Sequence, residues 1–311
     1  SHATVSFVLN DRRDVAIPEV TRQRVIATAR EMGYRPNRAA RALVMGRTQM
    51  VAIWQPTPVD PYYGLVFDRL YNHIRERGYE TMYCRSGATH DEARAFEWPV
   101  DGVIGVDTYA NRLEGRDAPQ MPYVSLGPYC DRRTDHVKID LFSGSSQAVT
   151  HLADQGCQNV VYLTPEKESN DERGRQAAYL EAVKKARLPQ RVVRVEAQTR
   201  EDVTEAIAAE IKRNGAFDGL FAFNDTLVMA AYGALSSLGL QIPKDVALVG
   251  FDDFPAAQYF PSPISTVRLP LEEACARSVE VLDEKIKDPK RDRVVETLPT
   301  KLIVRSSSLR K

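Results

Sequence analysis

The chain has 311 residues, 43% of them hydrophobic and 27% charged, and a length of this order predicts about two domains rather than one small core. Lys plus Arg and Asp plus Glu both number 42, so the overall charge gives no sign of a nucleic-acid partner. This ordinary globular usage excludes a disordered or collagen-like protein.

The charge is unevenly divided along the chain. Residues 1–48, called the head below, carry nine Arg, no Lys and four acids, a net charge of +5, and the remainder carries −5. A basic end on an acidic body is typical of a nucleic-acid or membrane contact at that end. No apolar run approaches the roughly 18 residues of a membrane span, and the start SHATVSFVLN is not a signal peptide. We therefore expect a cytoplasmic protein with no membrane partner.

Two short helices are predicted in the head. The first runs from Thr4 to Leu9 with Ser1 as its N-cap, and the second from Val20 to Met32, after Pro18. The second helix is expected to bury four apolar side chains, Val25, Ile26, Ala29 and Met32. The head has too little apolar surface for an independent core.

From about residue 50 the pattern alternates short apolar runs with amphipathic segments. Strands are predicted at residues 50–54, 80–84, 101–106, 122–126, 159–163, 191–195, 219–223 and 246–251, and helices at 63–77, 143–155, 173–186, 201–214 and 226–238. Such alternation predicts parallel sheets with helices on both faces. The segments DGVIGVD at 101–107 and DGLFAFND at 218–225 echo each other, which indicates two similar lobes divided near residue 140.

Open α/β sheets bind ligands at the carboxyl ends of their strands. The polar residues predicted at those ends are Asp107, Asn224, Asp225, Asp252 and Asp253. Helix caps and turns are the alternative role for each, but together they are expected to converge on one cleft between the lobes. Adjacent strand residues point to opposite faces, so one site would hardly use both Asp252 and Asp253.

Motifs of enzymes and metal sites are absent. The sequence has no G-x-G-x-x-G loop, P-loop, G-x-S-x-G elbow or H-E-x-x-H, and its four Cys and five His lack ligand spacing. We predict no enzyme activity, no metal and no cofactor.

Three segments of the head carry a family resemblance, and the body continues it. TVSFVLN, TRQRVIATAREMGYRPNRAARAL and the following RT resemble the recognition helix, third helix and hinge helix of lactose-repressor (LacI) type transcription regulators. RGRQAAY at 173–179, residues 223–253 and SPISTVR at 262–268 extend the resemblance over nearly the whole chain. It implies a partial helix-turn-helix head with hinge helix at 1–48, followed at 49–311 by a two-lobed effector and dimerisation domain similar to periplasmic sugar-binding proteins.

The resemblance also implies which residues meet DNA. The recognition helix is expected to present His2, Ala3 and Phe7 to bases, with Thr4, Ser6 and Asn10 toward phosphates. Ala3 and Phe7 could only read thymine methyls or exclude other bases, and core packing is the alternative for Phe7. The hinge helix at 37–45 supplies Asn37, Arg38, Ala40, Arg41 and Leu43, of which Leu43 is the wedge between central base pairs and Arg38 and Arg41, with Arg47, neutralise phosphates. A basic linker is the alternative for this segment. Family members have a helix before the recognition helix, whereas this chain starts at Ser1 within the motif, so weak operator binding is expected of the chain as given.

In the body, the resemblance implies that Arg175, Asn224 and Asp252 hold ligand hydroxyls or carbonyls and that Tyr63 is an aromatic platform. Arg173, Asp107 and Asp60 are weaker candidates. The implied partners are operator DNA, a sugar or sugar derivative, and a second copy in a homodimer or tetramer. A solute-binding protein of a sugar transport system is the alternative function, since it shares the body's fold but has no use for GYRPNRAARAL. A third class, a dinucleotide-dependent enzyme, lacks its glycine fingerprint.

Overall fold

The computed structural model describes residues 1–9, 12–34, 42–43, 45–57, 59–85, 99–108, 121–128, 133–166, 168 and 174–310. The helices in these ranges are α1 (His2–Leu9), α2 (Glu19–Glu31), α3 (Pro61–Glu76), α4 (Leu141–Asp154), α5 (Arg175–Lys185), α6 (Arg200–Asn214), α7 (Asp225–Ser237) and α8 (Leu271–Lys287). The strands are β1 (Met50–Gln55), β2 (Glu80–Arg85), β3 (Gly102–Val106), β4 (Tyr123–Leu126), β5 (Asp135–Asp140), β6 (Val160–Pro165), β7 (Arg191–Val195), β8 (Gly219–Ala222), β9 (Ala247–Asp252), β10 (Ser265–Arg268), β11 (Val295–Pro299) and β12 (Lys301–Ile303).

The head contains two helices packed on each other, as the sequence predicts. The Ser1 hydroxyl caps α1 by accepting a hydrogen bond from the Thr4 amide at 3.3 Å, and Val8 is buried between the helices. The burial prediction is wrong for Met32, whose side chain is 78% exposed, and Val25, Ile26 and Ala29 are only half-buried. Met32 is the C-cap residue of α2 and lies beyond the face that packs on α1. The buried side chain of α2 is Arg22, whose guanidinium donates to the Arg12 carbonyl at 3.2 Å.

Two six-stranded sheets form the two lobes of the body. The first lobe has the strand order β11-β5-β4-β3-β1-β2, and all its neighbours are parallel. The second has the order β12-β10-β9-β8-β6-β7, and only β10 with β12 is antiparallel. Strands β3 and β8, which carry the two echoing segments, hold the same place in the two sheets. The predicted α/β class and the two similar lobes are confirmed.

The predicted lobe boundary near residue 140 is only one of the places where the chain passes from one lobe to the other. The chain passes into the second lobe after β5, returns after β10 to place α8 and β11 in the first lobe, and passes again to β12. These passages pack closely: the Thr300 hydroxyl donates to the Asp140 carbonyl at 2.8 Å, and a Cβ on Gly144 would lie 2.3 Å from the Thr300 Oγ1 atom. Three adjacent passages connect the lobes.

The strands and helices predicted within the described ranges are present, with ends displaced by at most two residues, whereas the predicted hinge helix at 37–45 lies largely outside those ranges. Glycine ends four body helices, at Gly78, Gly156, Gly215 and Gly239, each with φ between 77° and 87°. The sequence did not predict β5, β10, β11, β12 or α8. In β5 the reason is physical: Asp135 and His136 are buried polar residues whose partners, Arg291 and the Gly127 carbonyl, come from other segments.

Candidate functional site

The candidate effector site lies where the carboxyl ends of strands from both lobes meet. Asp107 follows β3 in the first lobe, while Asn224 follows β8 and Asp252 ends β9 in the second. Burial raises the pKa of Asp252 well above its usual range, and the negative charges of Asp60 and Asp107 add to this while the Arg175 guanidinium opposes it. Acidic groups of both lobes therefore act on one another across the cleft.

Arg175 is the centre of the site. It is the first residue of α5, its side chain is only 12% exposed, and its Nη2 atom lies 3.7 Å from Asp252 Oδ1. The guanidinium carbon lies 4.3 Å from the ring centroids of both Phe223 and Phe251. Two aromatic faces hold a planar cation in one orientation. The buried Arg175 Nε atom lacks a hydrogen-bond partner among the described residues, so a donor is left for a ligand.

As expected, the side chains of Asp252 and its neighbour Asp253 face different partners. Asp252 has φ 111°, an unusual value for a non-glycine residue, and its side chain faces Arg175. Asp253 has φ 62° and pairs instead with Arg268 and Arg305, each at 2.6 Å. Asp253 is therefore structural. Backbone strain at Asp252 is a feature that functional sites retain.

The first lobe contributes a carboxylate next to two tyrosines. Asp60 caps α3 by accepting from the Tyr62 amide at 2.8 Å, and the Tyr62 and Tyr63 rings meet edge to face at 5.0 Å. The side chains of Tyr62 and Tyr63 favour the ionised form of Asp107 and so act to lower its pKa. Burial nevertheless raises the pKa of Asp107 to about 6. Its Oδ1 atom is buried with no hydrogen-bond partner in the described ranges and faces the Cα of Gly127.

Asn224 has two roles. Its Oδ1 atom accepts from the Leu227 amide at 2.8 Å and so caps α7, which is the alternative considered for this residue. Its Nδ2 atom donates to Gln198 Oε1 at 3.0 Å, so the amide also faces a second polar side chain. The neighbouring Asp225 is fully buried and accepts from the Thr266 hydroxyl and the Phe254 amide, which gives it a structural role.

Sequence reasoning missed other members of the site. Gln55 ends β1, is fully buried, and has an Oε1 atom without a partner among the described residues. Glu168 accepts from the Tyr162 hydroxyl at 2.9 Å and from the Thr164 hydroxyl at 2.5 Å. The position of Gln55 at a strand end was the available signal. Nothing in the sequence marked Glu168, and Arg173 lies outside the described residues.

The candidate DNA-contacting face of the head is described in part. In α1, His2, Ala3 and Ser6 are exposed, Thr4 is half-buried with its hydroxyl 3.0 Å from that of Ser1, and half-buried Phe7 is covered by the Arg12 guanidinium at 5.9 Å. Leu43 is 87% exposed. The other predicted contacts, Asn10, Asn37, Arg38, Ala40 and Arg41, fall outside the described residues.

Two models of known protein families match parts of this chain. The family model described as "Bacterial regulatory proteins, lacI family" matches residues 1–37, and the one described as "Periplasmic binding protein-like domain" matches 149–308. The chain belongs to the family of periplasmic binding protein-like domains, and its residues 1–37 match the lacI family of bacterial regulatory proteins.

Similar proteins within the lacI family span nearly the whole chain. An "HTH-type transcriptional repressor PurR" of Vibrio parahaemolyticus is 26% identical over 99% of this chain and 95% of its own length. A "Ribose operon repressor" of Halalkalibacterium halodurans is 25% identical over 99% and 93%. Among solved structures, a "transcriptional regulator CelR-cellobiose complex" is 25% identical, has a TM-score of 0.73, and is matched over 97% of this chain and 94% of that one.

The described ranges contain neither a candidate membrane span nor a candidate metal-ion site. No helix there is both long and apolar enough to cross a membrane. No three His, Cys, Asp or Glu side chains are grouped there so that they could hold a metal ion.

Proposed function

We propose that this lacI-family chain is a ligand-responsive transcriptional repressor whose effector binds between the lobes through Tyr63, Arg175, Asn224 and Asp252, with Asp60 and Asp107 beside them. The observation that carries the proposal is Arg175, held between two phenylalanine rings and 3.7 Å from Asp252 at the strand ends of a cleft. Regulation rather than catalysis is its role, and its place of action is the cytoplasm.

The chemistry of the cleft favours an uncharged polyhydroxyl effector, which is a sugar. Besides burial, which raises the pKa of both Asp107 and Asp252, the Arg175 guanidinium lowers both values and the negative charge of Asp60 raises both, so acidic groups lie around this cation. Carboxylates accept hydrogen bonds from hydroxyls, and Arg175 Nε donates to a ring or hydroxyl oxygen. A sugar phosphate would bring more negative charge to an acidic site whose cation is already paired.

A thermal-shift screen tests the effector class, because a ligand that binds only the folded protein stabilises it by RT ln(1 + [L]/Kd) and so raises its melting temperature. The panel contains neutral sugars, the matching sugar phosphates, and nucleobases. We expect a neutral sugar to raise the melting temperature and its phosphate to have no effect. Arg175→Ala is the control, and a shift that survives in this variant would refute the assignment of the site.

We further propose that the head reads one half of a near-palindromic operator, and that a two-fold dimer reads both halves. Contacts to bases come from His2, Ala3 and Phe7, and contacts to phosphates from Thr4, Ser6 and Asn10. The hinge segment with Asn37, Ala40 and Leu43 enters the minor groove, where Leu43 is the wedge, and Arg38 and Arg41 contact phosphates.

An exposed aromatic group supports a dimer through the first lobe. Phe67 and Tyr71 of α3 stack at 6.1 Å, and Tyr83 meets Phe67 edge to face at 5.8 Å on β2, an edge strand of the sheet. Tyr83 is 37% exposed. Light scattering should give the mass of a dimer at micromolar concentration and of a monomer for Tyr83→Glu. Val295→Glu, on the opposite edge strand of the same sheet, is the matched control and should remain a dimer.

A further inference from the structure

Asp101, just before β3, anchors the segment through which the chain leaves the head. One carboxylate oxygen accepts from the Thr48 amide at 2.7 Å and from the Thr48 hydroxyl at 2.8 Å, and the other accepts from the Gln49 amide at 2.9 Å. Asp101 is 53 residues from Thr48 in sequence, so this contact exists only in the folded first lobe. The end of the head is therefore fixed to the sheet by one side chain.

The anchored segment adopts a conformation that needs such support. Gln49 has φ 56°, in the left-handed region, where a non-glycine residue is strained by about 1 kcal/mol or more. Its carbonyl accepts from the Glu80 amide at 2.8 Å, and the Asp101 amide donates to the Met50 carbonyl at 2.8 Å. Side-chain and backbone bonds of Asp101 thus hold the residues on both sides of the strained position.

The same strand reaches the effector cleft. Between Asp101 and Asp107 lie the residues of β3, all of them buried in the middle of the sheet. At about 3.3 Å per residue, the strand spans roughly 20 Å from the anchor to the cleft. Asp107 faces the ligand site and Asp101 holds the exit of the head, so a displacement of β3 along its axis acts at both places.

The second lobe contains the same arrangement without a DNA-binding segment. Asp218, just before β8, accepts from the Gln158 amide at 3.0 Å and from the Asn159 amide at 2.8 Å, and β8 ends at the cleft beside Asn224. Residues 158 and 159 only connect α4 to β6. Asp218 therefore has the purely structural role, and Asp101 has the same role plus a connection to the head.

We propose that Asp101 is a positioning residue that transmits the arrangement of the cleft to the hinge segment of the head. This inference rests on the proposed function, because it assigns the route by which the cleft controls DNA affinity. Asp101 contacts neither DNA nor effector. It determines whether a change at Asp107 alters the direction in which residues 45–49 leave the sheet.

A double-mutant cycle tests the connection without an identified effector, since Asp107→Asn perturbs the cleft directly. The probe is a duplex that the unaltered protein enriches from a random-sequence library. Its affinity is measured for the unaltered protein, Asp107→Asn, Asp101→Ala and the double variant, and for the matched set with Asp218→Ala in place of Asp101→Ala. Thermal unfolding establishes that each variant is folded, and Asp101→Asn, which keeps one acceptor oxygen, is used if Asp101→Ala is not.

We expect Asp107→Asn to change the affinity at least fivefold in the unaltered and Asp218→Ala backgrounds, and less than twofold with Asp101→Ala. A purely structural Asp101 would lower stability as Asp218 does and leave the fivefold effect in place, which would overturn the inference. An Asp107→Asn variant with unchanged affinity would also overturn it. The proteins compared carry, before Ser1, the first helix that family members have; if the unaltered protein then enriches no duplex, the proposed function fails as well, so the two failures are distinguishable.

Discussion

Replacing Asp107 by Asn should stabilise the protein above pH 6 while it weakens effector binding. The folded-state pKa of Asp107 is raised by burial to about 6 from 3.8. Between these values the folded state binds more protons than the unfolded state, so stability falls as pH rises through this window. A difference of about two pKa units, at 1.36 kcal/mol per unit, makes the ionised carboxylate cost up to about 3 kcal/mol above pH 6.

The Asn side chain removes this cost because it stays neutral at every pH. Its oxygen still accepts from a tyrosine hydroxyl, and its amide replaces the Oδ1 atom that has no partner among the described residues. The assay is thermal unfolding of the unaltered protein and Asp107→Asn at pH 4.0 and pH 7.5. We expect the variant to unfold several degrees higher at pH 7.5 and at nearly the same temperature at pH 4.0.

Other buried acids, including Asp252, titrate in both proteins. Burial is the main cause of the raised pKa of Asp252, but the charge of Asp107 adds to it, so Asp107→Asn also relieves Asp252 and the added stabilisation at pH 7.5 has the same sign. Equal differences at the two pH values would refute the reasoning, since the stabilisation would then not come from ionisation. A lower unfolding temperature for the variant at pH 7.5 would show that the carboxylate is stabilising and is not held for a ligand.

Four further predictions concern the site and the head. Arg175→Ala should weaken binding of the screened sugar about 10- to 150-fold in calorimetric titration, as expected for a lost charge-assisted hydrogen bond, and exposed Arg194→Ala should not. Asn224→Ser should keep the melting temperature, because serine also caps helices, yet weaken binding of the sugar; unchanged sugar binding would assign Asn224 to capping alone. Leu43→Ala should leave stability within about 0.5 kcal/mol, because the side chain is 87% exposed, while affinity for the selected duplex falls well beyond twofold; Arg41→Ala should instead reduce the salt slope by about one unit on any DNA.

The fold was predictable from the sequence where local pattern and tertiary environment agree. Strands such as β3 are apolar throughout and need no partner to be recognised. β5 was missed because its first two residues are an aspartate and a histidine, which are buried only because Arg291 and a distant carbonyl satisfy them. Helix α8 was missed although its period is visible in LEEACARSVEVLDEKIK.

The sequence predicted the polar residues of the candidate site, but not the side chains that hold them in place. Arg175 and Asp252 followed from the resemblance, and both lie in one cleft. The stacking of Arg175 between Phe223 and Phe251 depends on β8 and β9 being neighbours in the sheet, which periodicity along one chain does not reveal. The role of Asp101 could not be predicted for the same reason. Its aspartate-glycine pair indicates only a turn until the neighbouring strand in the sheet is known.

The return of the chain to the first lobe has a consequence for synthesis on the ribosome. β5 and β11 are neighbours in one sheet, but about 155 residues separate them, so the first lobe is completed only after most of the second has been made. At roughly 5–20 residues per second, the nascent first lobe waits about 8–30 s for its last strand and for α8. During that time β5 is an unpaired edge, and Asp135 lacks Arg291. Translation rate and chaperone access across residues 140–299 should therefore govern the yield of this protein more strongly than events at its head.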